Sequence, residues 1–330
     1  MPDKIRKIKR EVIRFKSGDN HLNGMIHLPD ENNRRELGAV LCSAGLKNRI
    51  GYGRINVIIA DFLAGHGYPV MRFDYHGCGD SQGHLSPTGE VNELHADING
   101  FIQTGLFSND ALNAIEALKE KSGCKKFILT GLCGGSNTSL YTAVKSEEVI
   151  SIFLLNLPVA LDSNLARQER AGEMSEWHLK FMYESYLKKV FSPRAWLRIL
   201  SFKSDFRGIA QIVKSKFSGG KSTNSAGPSN EEKKFNFNDD LLAKFDEYFT
   251  SGRKAYFVFA ENDPLKNEFE KYFENDKGAQ ILEKYRESYF KKVIKDSNHS
   301  FTEWNWRKQL FEELLRCIKQ ETKTSKKTAV

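Results

Sequence analysis

Cysteine is scarce in this chain: five in 330 residues (Cys42, Cys78, Cys124, Cys133 and Cys317), an odd number, scattered, with no Cys-x-x-Cys pair. That argues against a disulfide framework or a zinc cluster and makes a reducing compartment, the cytoplasm, the expectation. Long apolar runs are missing too. The best, VISIFLLNLPVA at 149–160, is broken by Asn156 and Pro158 and falls short of the about 18–20 residues a bilayer span needs, so no transmembrane segment is expected. The opening MPDKIRKIKREVIRF is positively charged but lacks the apolar centre of a secretory signal. No pattern of ligand side chains implies a metal or an organic cofactor. Proline is low as well, 8 against 23 phenylalanines, which points to a well-filled interior.

What is present is the composition of a soluble globular protein, with 40% hydrophobic and 28% charged residues. The net charge of +8 is concentrated. Between 188 and 221 stand nine basic residues against Asp205 alone, interleaved with Phe191, Trp196, Phe202 and Phe206. Two readings stay open for this run: a landing surface for something acidic (coenzyme A phosphates, an acyl-carrier protein, an anionic membrane), or a solvated helix face. No recognition motif for nucleic acid accompanies it.

Residues 11–16 and 21–28 alternate apolar and polar across Ser17-Gly18-Asp19-Asn20, which predicts a hairpin. Strands are predicted at 38–43, 68–75, 126–130, 149–155, 255–260 and 290–294. Helical patterns lie between them at 55–67, 111–121 and 133–143, and a final helix is expected at about 303–319. This alternation predicts an α/β fold with a largely parallel sheet covered on both faces. Between 158 and 250 it gives way to amphipathic helical sequence with one low-complexity stretch, 218–234, expected to be a flexible loop. The expected organisation is a core of 1–157 and 251–322, a helical cap at 158–250, and a disordered tail at 323–330. Met174, Trp177, Met182 and Tyr183 of the cap would either line an acyl pocket or hold cap helices together.

The sharpest motif is Gly131-Leu132-Cys133-Gly134-Gly135, after one predicted strand and opening a helix. A nucleophile there sits on a tight strand-to-helix turn that only glycine-sized neighbours tolerate. The helix N-terminus aims its dipole at the side chain, which favours thiolate. With 25 glycines and five cysteines in the chain, a chance match in that context is rare. A nucleophile needs a base and an acid to orient it, following in the order acid, then histidine. Glu261-Asn262-Asp263-Pro264 follows the strand at 255–260. Asp263 lies deeper in the turn, with Glu261 the alternative. His299 follows the strand at 290–294, at the strand-end position where open α/β sheets place their sites.

These residues resemble the α/β-hydrolase superfamily, in the cap-bearing branch of serine aminopeptidases and monoglyceride-lipase-like enzymes. The resemblance runs through FKSGDNHLNGMIHLP, MRFDYHGCGDSQG, the Cys133 turn, ENDPL and SNHSF. SPRAWLRILSFKSDFRG is similar to the cap of hydrolases found beside exosortase systems. The resemblance implies Cys133 as nucleophile, Asp263 as acid and His299 as base, an oxyanion hole from the N–H groups of Leu46 and Gly134, and a structural role for the segment from Asp74 to Gly83. Two departures stand out: Cys133 replaces the usual serine, and Ser43-Ala44-Gly45-Leu46 replaces the usual His-Gly. Dienelactone hydrolases and polyhydroxyalkanoate synthases offer precedent for cysteine at such a turn.

The implied function is hydrolysis of an ester or thioester of a small acyl substrate through an acyl-cysteine intermediate. An acyltransferase working through the same intermediate and a non-catalytic ligand- or partner-binding relative are the alternatives. Acyl-CoA or an acyl-carrier protein would be a partner through the basic run at 188–221.

Overall fold

The computed structural model describes residues 7–85, 98–161 and 236–327. The basic run at 188–221, the stretch at 218–234 and Met174, Trp177, Met182 and Tyr183 lie outside the described residues.

Eight strands form one sheet: β1 (Ile8–Ser17), β2 (Asn20–Pro29), β3 (Leu37–Cys42), β4 (Val70–Phe73), β5 (Lys126–Leu132), β6 (Val149–Leu155), β7 (Lys254–Ala260) and β8 (Tyr289–Ile294). Their order is β1-β2-β4-β3-β5-β6-β7-β8. β1–β2 and β2–β4 are antiparallel, and every other pair is parallel. The β1–β2 hairpin turns at Gly18, whose φ of +55° suits glycine. β3 is buried along its whole length, as a strand sandwiched between helix layers must be.

On one face, α1 (Ile55–Gly65) and α7 (Trp304–Lys327) share a core with Leu41, Ile128, Phe153 and Tyr256. The opposite face carries α2 (Ser108–Ser122), α3 (Gly134–Ala143) and α4 (Asp240–Thr250). Period-two alternation accounts for the division: Tyr256 belongs to the first core, and its neighbour Phe257 packs on Phe245 of α4 with ring centroids 5.5 Å apart.

Two boundaries differ from the sequence expectation. α4 falls inside the expected cap at 158–250, yet its Leu241, Phe245, Tyr248 and Phe249 are buried and 236–330 groups with the sheet. Helical periodicity identifies an apolar face but not the body that face will cover. α7 continues to Lys327, through the onset of the expected tail at 323–330. Extending an existing helix costs little, and Glu321 anchors its distal part by accepting a 2.6 Å bond from the Tyr256 hydroxyl. Ala160 and Phe237, near the two ends of the described segments at 161 and 236, form an antiparallel bridge.

The register sets the strand ends flush. Cys42 pairs with Gly131, Leu132 with Leu155 and Ala260 with Ile294. Cys133, Asp263 and His299 therefore emerge from one edge of the sheet. Among the described residues no helix is long and apolar enough to cross a membrane.

Beside this framework lies a buried polar chain. Arg72 Nε donates to His27 Nε2 at 2.9 Å, and His27 Nδ1 meets Asp61 Oδ1 at 2.8 Å. Burial, with the Arg72 charge, lowers the His27 pKa to about 4 despite Asp61. The unfolded chain thus takes up a proton near pH 6.5 that the folded chain refuses until about pH 4. Stability from this site is complete above pH 6.5 and lost as pH falls towards 4, by up to about 3 kcal/mol. Denaturant titrations from pH 7 to 4 are expected to show this loss in the wild type and a smaller one in His27→Gln; equal slopes would contradict it.

Candidate active site

Cys133 follows β5 directly and precedes α3, with φ 55° and ψ −125°. Such a conformation costs a non-glycine residue about 1–3 kcal/mol, and the surroundings impose it. A Cβ on Gly131 would lie 2.3 Å from the Gly135 carbonyl, and one on Gly135 would lie 2.5 Å from the Cys42 carbonyl oxygen. Strand and helix thus cross at a separation that excludes any side chain. The turn is bonded from both sides: the Cys133 N–H donates to the Leu155 carbonyl at 2.8 Å, and Ser136 Oγ donates to the carbonyls of Gly131 and Leu155.

Of the five cysteines, Cys133 alone is partly exposed, the others being buried. Burial pushes Cys42 and Cys78 up to about 11, as expected of inert thiols.

Asp263 is 2% exposed and is bonded through both oxygens. Oδ1 accepts from the Leu265 N–H at 3.1 Å, capping a short helix, α5 (Pro264–Glu268), while Oδ2 meets His299 Nδ1 at 2.6 Å. The helix cap and the histidine partner are thus one carboxylate. Glu261, the alternative acid, accepts instead from the Asp296 N–H at 2.7 Å and braces the start of the histidine loop. That loop is shaped by left-handed residues at Asp296 (φ 58°) and Phe301 (φ 46°), and the Asn262 N–H ties it to the Ser297 carbonyl at 2.9 Å.

His299 brings the acid and the cysteine together. Burial would lower its pKa, but hydrogen bonds to Asp263 and Cys133, with the charges of both, raise it to about 10. His299 thus stands between a carboxylate and a sulfur, a setting that favours the imidazolium form of its ring.

The loop after β3 lies against the turn. A Cβ on Gly134 would sit 3.3 Å from the Gly45 nitrogen, which brings Leu46 beside the start of α3. Among the described residues, neither the Leu46 nor the Gly134 N–H has a hydrogen-bond acceptor, leaving both open to an oxyanion. Asp74 fixes this loop: fully buried, it accepts from the Arg49 backbone and guanidinium on one side and from the Asp80 N–H on the other. A Cβ on Gly79 would strike its carboxylate at 2.4 Å. The segment from Asp74 to Gly83 therefore supplies the carboxylate that braces the loop. A cavity of about 450 Å³ opens beside it, lined in part by Leu46, Lys47, Asn48 and Tyr52, and does not reach Cys133 or His299. Among the described residues no group of three or more His, Cys, Asp or Glu side chains is arranged to hold a metal ion.

Sequence reasoning passed over Asn156. It is fully buried, with a φ of 47°, and its side chain bonds both the end of β7 and the His299 loop. An asparagine at a strand end, in Leu155-Asn156-Leu157-Pro158, is the local signal that could have pointed to it.

The chain has the α/β-hydrolase fold. It is similar over 96% of its length to an esterase from Pyrococcus furiosus (14% identity, 92% of that chain, TM-score 0.55). It is similar over the same share to a proline iminopeptidase from Mycobacterium smegmatis (13%, 100% of that chain, TM-score 0.54) and to an α/β hydrolase from Penicillium sp. sh18 (16%, 98%, TM-score 0.51). No family model and no curated protein sequence matches the chain.

Two outcomes are expected at this site. Asp263→Asn should bring the His299 pKa from about 10 down towards the usual 6.5, as read by NMR titration of the imidazole; an unmoved titration would deny Asp263 its hold. Gly135→Ala should destabilise the fold by about 3 kcal/mol in denaturant unfolding, because the added carbon meets backbone on the strand side; a loss under about 1 kcal/mol would show that the crossing yields.

Proposed function

We propose that the chain is a cysteine-dependent hydrolase of small acyl esters or thioesters. The observation that carries this reading is His299, bonded to Asp263 at 2.6 Å on one side and hydrogen-bonded on the other to Cys133, the residue on the strained turn that opens α3.

In this reading the Cys133 thiolate attacks the acyl carbonyl carbon and forms a carbon–sulfur bond. The carbonyl π electrons move to oxygen, which the Leu46 and Gly134 N–H groups receive. Collapse breaks the bond to the leaving alkoxide or thiolate, which takes the proton from imidazolium His299. Now neutral, His299 accepts a proton from water as the water oxygen attacks the thioester. The second collapse expels the Cys133 thiolate and releases the acid, and the thiolate–imidazolium pair returns. Asp263 keeps the ring oriented and stabilises its charge throughout, without taking the proton.

The thiol favours esters and thioesters over peptides. From a peptide-derived tetrahedral intermediate a thiolate departs more readily than an amine, so the attack reverses. The intermediate is itself a thioester, a good acyl donor, and an alcohol or amine in place of water would make the same site an acyltransferase.

Intact-mass spectrometry after mixing with acyl-CoA thioesters and activated esters is expected to show an acyl adduct on the wild type and none on Cys133→Ala. Rapid loss of the adduct in water alone marks a hydrolase, and loss only with an added alcohol or amine marks a transferase. No adduct and no turnover would overturn the reading for these substrates.

A further inference from the structure

The candidate catalytic side chains come from three separate strand ends, and something must hold those ends in a common frame. Leu155 and Asn156, at the end of β6, meet all three. The Leu155 carbonyl accepts the Cys133 N–H at 2.8 Å. The Asn156 N–H donates to the Val258 carbonyl at 2.9 Å in β7. Asn156 Oδ1 accepts the Ala260 N–H at 2.7 Å, three residues before Asp263. Asn156 Nδ2 donates to the carbonyl of His299 itself at 2.9 Å.

We propose that Asn156 is the positioning residue of this site, a buried amide that sets the His299 backbone against the strand carrying Asp263. Few side chains can fill the role. It needs a donor and an acceptor on one rigid group, two bonds from the backbone, at a residue whose φ of 47° disfavours most side chains but suits asparagine. Aspartate has no donor for His299 at neutral pH, glutamine is a carbon too long, and glycine keeps the backbone but loses both bonds. With no side chain exposed, Asn156 touches no substrate and acts through His299 alone.

The bond lands on the His299 carbonyl, so it fixes where the residue begins, while Asp263 fixes how the ring turns. Two constraints on one residue leave the imidazole a single placement between carboxylate and sulfur. A loss of about 1 Å in such placement costs on the order of 100-fold in rate.

This inference rests on the catalytic reading above, and its test keeps the two apart by using alkylation of Cys133, which needs no substrate. The rate of iodoacetamide labelling is followed from pH 5 to 10 in the wild type, Asn156→Gly and Asn156→Asp. The two variants separate the bonds: glycine removes both without backbone strain, and aspartate keeps the Ala260 bond and loses only that to His299. In the catalytic reading, wild-type labelling stays nearly flat across this range. In both variants it should fall at least about 10-fold at pH 6 and rise with pH like an ordinary thiol, while circular dichroism shows them folded. Where a substrate is turned over, kcat should drop by a similar factor with KM little changed. A purely structural role predicts a lower Tm with the flat wild-type profile retained, and that result, or labelling within two-fold at pH 6, overturns the proposal. A wild-type profile that itself rises like an ordinary thiol overturns the catalytic reading and this proposal with it, whereas a flat wild-type profile unchanged in the variants overturns this proposal alone.

Discussion

At the turn between β5 and α3, two backbone segments approach more closely than any side chain allows, and the site depends on that contact. The Gly131 and Gly135 positions leave no room for a Cβ, and the price is a left-handed Cys133. The turn returns that strain as geometry: Cys133 stays partly exposed, unlike the other four cysteines, and stands directly before the first N–H groups of α3. Bonds to Leu155 hold the turn down, so the strained conformation is over-determined by its surroundings.

A second layer of order is electrostatic. A buried imidazole ordinarily loses its proton, as His27 shows in the same molecule, where the Arg72 charge adds to burial. His299 goes the other way because a carboxylate and a sulfur flank it, and it is raised to about 10. Both histidines meet an aspartate through Nδ1, and they differ in the second neighbour, a guanidinium at His27 and a sulfur at His299.

Neighbouring folds illustrate how little sequence identity the fold requires: structures at 13–16% identity align over 96% of the chain with TM-scores of 0.51–0.55. The chemistry that each fold carries depends on the side chains mounted on it.

Much of this was legible along the chain. The central parallel strands β3 and β6 are short apolar runs and the helices carry 3.6-residue patterns, both set by neighbours within a few residues. The Gly131-Leu132-Cys133-Gly134-Gly135 turn is likewise local, since its steric demand falls on adjacent positions. The strand ends that carry Asp263 and His299 could be located for the same reason. Other features depend on distances of a few ångströms between residues far apart in the chain. Only the packed sheet decides that Asp263 meets His299 while Glu261 bonds the Asp296 N–H, because both carboxylates occupy the same turn. Only tertiary packing assigns α4 to the sheet, carries α7 past 323 and gives Asn156 its two partners, 104 and 143 residues away. Local sequence fixes the conformations that backbone sterics and apolar periodicity control, and the fold alone brings distant groups within hydrogen-bonding reach.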